Sequence, residues 1–476
     1  MDKLQEECAV VGVIGDSEAA NLIYLGLYAL QHRGQEATGI VTMGSDGKPR
    51  GYKNFGLVKE TYTREILNQL EGSIGIGHNR YSTQGGPMLQ NIQPFNFNTI
   101  IGPLAIAQNG QLTNADIIKK ELEQAGSIFQ STSDTEVFTH LLARSKADNL
   151  LERIFEVMKI VKGAYALTLM GQNKLFAIRD PYGFRPLVLG RKGKATVVAS
   201  ESCALDLIDA TFVREIKPGE VVEIHESGET ISYFPIASKP KSYCSFEPIY
   251  FSRPDSRIDE TSVYDVRKNI GRVLAKESHV PSDIVIPLPD SGVPMAVGYA
   301  AEAGIPFEVG LMRNHYVGRT FIEPSQSIRD FGVRLKHNAI PSVVEGKRIV
   351  VVDDSLVRGT TSVKIMRMLR KAGAKEIHLR LGCPPIRYSC YYGVDTPDRE
   401  QLLAAQKNVH EIRDLVGVDS IAFLSLSGLK EALGPKANDH CYACFTGKYP
   451  EDVYSDIKPQ RTDKGEGPGL RSGCGN

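Results

Sequence analysis

The apolar run "IVVV" at residues 349–352 constrains this chain more than any other stretch. It ends in Asp353 and Asp354, crosses the short turn "SLVRGTT", and enters "SVKIMRMLRKAGA", whose apolar positions recur at helical spacing. A strand apolar at every position is buried on both faces, and the helix that follows returns the chain to a parallel neighbour. Two more runs, "SDIVIPLPDSG" and "EIHLRLGCPP", read the same way. The second half is therefore predicted to be an α/β domain on a parallel sheet.

The first half obeys a different rule. Short apolar runs such as "SIGIGHNRYST", "PLAIAQNG", "AYALTLM", "KLFAIRD" and "ATVVAS" are separated by Gly, Asn and Asp turn signals, which predicts stacked antiparallel sheets. Two helical patterns accompany them, "EAANLIYLGLYALQHRG", with Gly34 as its stop, and "SDTEVFTHLLARSKA", with a cap-like start. Sheets with helices outside make a layered α+β domain. At 476 residues the chain exceeds what one core serves, so two domains are expected. The connector "YFPIASKPKSYC" puts the boundary at 235–242, giving domains at 8–235 and 243–455. The tail from 456 to 476 has almost no apolar content and is expected to be disordered, with Cys474 incidental.

Composition excludes some partners. Lysine plus arginine equal aspartate plus glutamate at 56 each, so no global field attracts nucleic acid or an anionic membrane. The start "MDKLQEECAVVGVIG" has neither a signal-length core nor a spanning segment, and a cytoplasmic protein is expected. Eight cysteines are too few for a disulfide scaffold of this length. Clustered thiols then point to metal or catalysis.

The turn after residue 352 has the parts of a phosphate and ribose site. Backbone N–H groups from Ser355 through Arg358 and Gly359 to Thr361, at a helix entrance, suit a phosphate, with the hydroxyls of Thr360 and Thr361 as further donors. Asp353 and Asp354 suit ribose hydroxyls and Mg2+. No G-x-x-x-x-G-K-[ST] and no G-x-G-x-x-G after a strand is present, against a Walker or dinucleotide site. The stretch "VVVDDSLVRGTT" resembles the phosphoribosyl pyrophosphate (PRPP) loop of type I phosphoribosyltransferases. That resemblance implies that Asp290 and Ser291 in "VIPLPDSGVP" face diphosphate and Mg2+. It also implies that the loop 313–334, carrying His315, Tyr316 and Arg319, closes over the substrate as a lid.

Within that group, glutamine-dependent amidotransferases fuse such a domain to an N-terminal glutaminase, and the first half resembles that class II, N-terminal-nucleophile type, with its four-layer αββα fold. Cys8, ahead of the apolar run "AVVGV", is then the nucleophile, and residues 1–7 a propeptide whose removal frees its α-amine as base. The motifs "QHRGQEATGI", "GHNRYSTQG", "AQNGQLTN" and "STSDTEVF" follow in family order. By resemblance, Arg80 takes the glutamine α-carboxylate, Asp134 the α-ammonium, and Arg33, Tyr81 and Thr83 further substrate contacts, while Asn109 and Gly110 form the oxyanion hole. Read singly, Asn-Gly is a common turn and Asp134 a plausible helix cap, and His32 and His78 stay open as partners of the thiol. Gln108 and Asn79 stand where many relatives have histidine and valine.

"HCYACF" alone offers half a tetrahedral metal site, with buried thiols as the plain alternative. Resemblance to one branch of the family assigns Cys244, Cys390, Cys441 and Cys444 to a [4Fe-4S] cluster and leaves Cys203 and Cys383 outside. It also implies purine-nucleotide feedback inhibitors and a homotetramer. The expected function is transfer of glutamine nitrogen to PRPP, with glutamine and PRPP as small-molecule substrates. The rival is a PRPP-binding regulator with a vestigial glutaminase, against which stand the intact Cys8, Arg80, Asn109 and Asp134.

Overall fold

The computed structural model describes residues 8–81, 88–314, 337–451 and 453. Its first seven-stranded sheet runs Thr211–Glu215, Val188–Lys192, Ala195–Ala199, Ala9–Ile14 (β1), Ile74–Arg80 (β2), Ala37–Met43 and Pro49–Phe55, all antiparallel. The second, six-stranded sheet runs Phe95–Thr99, Gly102–Leu112 (β3), Gly163–Gly171 (β4), Lys174–Arg179, Val221–His225 and Thr230–Tyr233, also antiparallel. β1 is buried at every residue, which only a strand between two apolar layers permits.

Three apolar cores stack in order. Ile23 and Leu27 of the helix Ala19–Ala29 (α1) pack on Val11 and Ile40 of the first sheet. Val10, Ile76, Ala105 and Ala177 fill the space between the sheets. Phe138 of Thr135–Arg144 (α2) and Ile154 of Leu150–Ile160 (α3) cover the outer face of the second sheet with Leu167 and Phe176. The result is the αββα layering expected of the first half.

No helix or strand occupies 235–242, the expected boundary. Beyond it, Ile284–Pro287 (β5), Arg348–Asp353 (β6), Glu376–Leu381 (β7) and Ser420–Phe423 (β8) form a parallel four-stranded sheet in that spatial order. One face carries Val263–Ser278 (α4) and Val293–Ala303 (α5), whose Ile270 and Met295 pack on Val350 and Val352. The other carries Thr360–Lys371 (α6), whose Ile365 and Leu369 pack on Ile349 and Val351. Each fully buried apolar side chain of β6 is worth roughly 1.5–3 kcal/mol. No helix of the described residues is long and apolar enough to cross a membrane.

Two sequence expectations shift. α1 stops at Ala29, five residues before Gly34, because Leu30–Arg33 turns to bring Arg33 inward, with the Arg33 N–H on the Leu30 carbonyl at 3.0 Å. Asp134 precedes α2 without capping it, for its carboxylate accepts from the Leu112 N–H at 2.7 Å on β3.

Candidate active sites and cysteine centre

Cys8 stands immediately before β1, whose pairing of Ala9 with Asn79 brings the thiol to the end of β2. There its Sγ donates to the Tyr81 carbonyl at 3.5 Å. The charges acting on this thiol are those of Arg80, Asp134 and Glu36, so the chain has gathered groups from β1, β2 and the start of α2 around one sulfur. Arg80 is buried and lies 4.0 Å from Glu36. Asn109, on β3, is buried, and its Nδ2 has no hydrogen-bond partner. A buried amide donor left unpaired costs about 1–3 kcal/mol, which a ligand oxygen there would recover.

Burial pushes the Cys8 thiol up to about 11, so at neutral pH it is protonated and needs a base. Burial likewise raises the Asp134 carboxyl to about 6. A guanidinium and a carboxylate flanking a nucleophile and an amide donor can receive an amino acid by both its charged ends and stabilise an oxyanion at its side chain.

Arg33, expected among the substrate contacts, has another occupation. Its guanidinium is buried, donates to Glu201 at 2.7 Å and to Glu247 at 2.7 and 2.9 Å, and gives Nε to the Cys8 carbonyl at 3.2 Å. It holds the backbone of Cys8. Burial disfavours charge on Glu201, yet His32 and Arg33 together keep its carboxyl well below the usual range. His32 is committed to that carboxylate at 2.8 Å. His78 gives Nε2 to the Gln108 carbonyl at 3.0 Å, and burial lowers its pKa to about 3. Gln108 accepts from Thr135 Oγ1 at 2.8 Å, and Asn79 donates to the Leu27 carbonyl at 2.7 Å while its buried Oδ1 has no partner among the described residues. Thr83 and residues 1–7 lie outside the described residues.

The second site lies at the carboxyl ends of β5 and β6. Asp353 and Asp354 are buried, and the Asp354 carboxylate accepts from the hydroxyls of Ser291 and, at 2.5 Å, Ser355. Asp353 Oδ1 accepts from the Asp354 N–H at 2.8 Å. Leu356 and Val357 turn inward while Arg358 and Thr360 are exposed, so the loop presents polar groups outward ahead of α6. Thr361 is half-buried in the first turn of that helix, after Gly359. Asp290, half-exposed, pairs with Arg313 across the cleft, and the Pro289–Asp290 bond is cis. Hard carboxylate and hydroxyl oxygens are the donors Mg2+ takes. Arg319, His315 and Tyr316, with all the proposed lid except Arg313 and Asn314, lie outside the described residues.

Cys244, Cys390, Cys441 and Cys444 line one cavity with Phe184, Arg185, Phe246 and Tyr392. A short parallel bridge pairs Cys244 directly with Cys441. Burial pushes the Cys244 thiol to about 11 and raises Cys441 and Cys444 further, with the neighbouring thiols adding to the effect. Among the described residues no three His, Cys, Asp or Glu side chains converge on a single metal ion. Cys203 is buried in the first domain's core, while Cys383 is buried beside Cys444 without lining the cavity.

Sequence reading missed Glu201, Glu247 and Arg185, whose only local signal is a charge inside an apolar context such as "VVASESCA".

A family model described as "Glutamine amidotransferase domain" matches residues 78–207, and one described as "Phosphoribosyl transferase domain" matches 260–383. The chain is 54% identical over 450 residues to amidophosphoribosyltransferase 2, chloroplastic, of Arabidopsis thaliana, covering 94% of this chain and 80% of that protein. A solved structure of glutamine phosphoribosylpyrophosphate amidotransferase from B. subtilis, complexed with ADP and GMP, aligns with a TM-score of 0.89 at 47% identity, covering 95% of this chain and 99% of that one. A second, titled as the allosteric regulatory enzyme of purine biosynthesis, aligns at 0.90 with 48% identity, covering 94% and 97%.

Proposed function

Because the chain belongs to the amidophosphoribosyltransferase family, we propose that its two sites divide one reaction between the residues described above. The enzyme makes 5-phosphoribosylamine, glutamate and pyrophosphate from PRPP, glutamine and water, the first committed step of purine biosynthesis. The observation that carries the division of labour is that Arg80 and Asp134 act directly on the Cys8 thiol.

In our reading Arg80 and Asp134 hold the two charged ends of glutamine. The Cys8 thiol adds to the carboxamide carbon, its proton passing to the α-amine exposed when residues 1–7 are removed. Asn109 Nδ2 and the Gly110 N–H receive the oxyanion. Collapse of this adduct expels ammonia and leaves a thioester, which water hydrolyses to glutamate. Ammonia then attacks C1 of the ribose and pyrophosphate leaves. Protonated ammonia has no lone pair, so the route between the sites must exclude water.

In the second domain Asp353 and Asp354 orient the ribose hydroxyls, and the loop from Ser355 through Arg358 to Thr361 holds the 5-phosphate at the entrance of α6. Asp353, Asp354 and Ser291 would hold Mg2+, which when bound would neutralise charge on the pyrophosphate leaving group. The four cysteines that line one cavity would hold a [4Fe-4S] cluster, which gives each cysteine its own iron. Feedback by purine nucleotides and a homotetramer complete the proposal, the first supported by the ADP and GMP in the B. subtilis structure. A cytoplasmic location completes the reading.

Pyrophosphate release from PRPP, with glutamine or with ammonium as nitrogen source, tests the reading. Release with both is expected. Silence with both would return the chain to the class of PRPP-binding regulators.

A further inference from the structure

The segment between Cys390 and Thr396 belongs to the second domain in sequence, yet it lies against the first domain's β3. A Cβ built on Gly393 would stand 3.0 Å from both Cα and C of Gly110 and 3.3 Å from the Gln111 nitrogen. On the other side, a Cβ on Gly110 would stand 2.2 Å from the Ala164 carbonyl oxygen of β4. Gly110 is thus pressed between a strand of its own sheet and a backbone from more than 280 residues later in the chain, with no side chain between. Both glycines have positive φ, +136° and +101°, a region an L side chain rarely enters.

The segment is clamped where it makes this approach. Arg185 donates Nε and Nη2 to the Tyr392 carbonyl at 3.0 and 2.5 Å. The Phe184 ring stacks on Tyr392 at 4.0 Å and 16°. Thr396 Oγ1 accepts from the Cys390 N–H at 2.7 Å. Such fastening, directly beside the residue that accounts for half of the oxyanion hole, exceeds what covering a sheet edge requires.

We propose that Gly393 is a positioning residue for glutamine hydrolysis, its backbone setting the orientation of the Gly110 N–H toward the oxyanion. This rests on the reading of Asn109 and Gly110 as the oxyanion hole. A donor displaced by a few tenths of an ångström still permits glutamine to bind through Arg80 and Asp134 but serves the adduct less well, so the loss falls on kcat and not on KM.

Gly393→Ala, Asn109→Ala and Gly417→Ala are compared in the full chain. Gly417 has φ +77° with nothing within 4 Å of a built Cβ, so it reports backbone strain alone. For Gly393→Ala, kcat of glutamine hydrolysis is expected to fall about tenfold or more, with KM for glutamine and ammonia-dependent synthesis each within about twofold of the unaltered protein. Metal content per chain stays unchanged, and Gly417→Ala keeps full kcat. A Gly393→Ala enzyme with unchanged kcat, beside a crippled Asn109→Ala enzyme, overturns the proposal alone. An Asn109→Ala enzyme with full kcat overturns the oxyanion-hole reading and the proposal with it. If Gly393→Ala does not fold, Phe184→Leu, which removes the stacked ring and adds no clash, decides: the same kcat-only loss supports the proposal, and unchanged kcat overturns it.

Discussion

Arg33 Nε reaches the Cys8 carbonyl at 3.2 Å while Nη2 of the same guanidinium reaches Glu247 at 2.7 Å, so the main chain at Cys8 is tied to the first helical turn after the domain boundary. That turn is held in its own right: Arg267 of α4 donates to the carbonyls of Pro248, Tyr250 and Ser252 at 2.7–2.9 Å.

Removing Glu247 should therefore be felt as a stability defect. Glu247→Ala leaves Arg33 buried with only part of its compensation, and breaking a buried pair from one side costs about 3–5 kcal/mol. Chemical denaturation followed by fluorescence and far-UV dichroism checks this. A loss below about 1 kcal/mol, the range of an exposed pair, would mean that the network is open to solvent.

Cys8→Ala should abolish glutamine hydrolysis and glutamine-dependent synthesis and leave ammonia-dependent synthesis largely intact, because it removes only the group that forms the thioester. Intact mass of the active, unaltered enzyme should lack residues 1–7. Full activity with those residues attached would mean that some group other than the Cys8 amine is the base.

The reverse lesion is Asp353→Asn with Asp354→Asn. With the two carboxylates gone the ribose and Mg2+ lose their acceptors, so synthesis should fail with either nitrogen source. Retention of ammonia-dependent synthesis would refute their role.

Asp134 must be ionised to hold an ammonium, and burial puts its carboxyl at about 6. Below that pH the carboxyl is protonated and neutral, so KM for glutamine should climb about tenfold per pH unit as pH falls below about 6, with kcat far less affected. Above it the dependence vanishes. Asp134→Asn should raise KM at every pH and erase the inflection, and a wild-type profile flat between pH 5 and 7 would refute the assignment.

Protein purified without oxygen should be brown and carry about four irons per chain. Cys441→Ser should lower that iron content and the midpoint of thermal unfolding together. Colourless protein holding zinc at the same cysteines would keep the ligands and change the metal.

What the sequence made legible was what lies close together along the chain. Asp353, Asp354 and the turn after them are consecutive, so an apolar strand, two carboxylates and a helix entrance suffice to read a phosphate and ribose site. The parallel strands β5 and β6 were legible from their apolar runs, and β7 from the alternation of Ile377, Leu379 and Leu381 with polar residues. β8, whose four residues are all half-buried, was not. The ion pairs of Arg33 were not legible because its partners Glu201 and Glu247 lie 168 and 214 positions away, and no local pattern announces such a pairing. Gly393 was invisible for the same reason, since its function is to lack a side chain where a distant strand passes.

Glu451 Oε2 accepts from the Gly163 N–H at 3.1 Å, and Val453 is fully buried against Ala164, Tyr182 and Phe184. One wall of the first domain is thus supplied by nearly the last described residues. During synthesis the glutaminase half therefore waits, with the start of β4 uncovered, while some 218 further residues (235 to 453) are made, a delay on the order of tens of seconds at ordinary elongation rates. A ribosome that stalls in the second domain would release an N-terminal half with apolar surface exposed, and such fragments should be targets for holding chaperones and proteases, not free glutaminases.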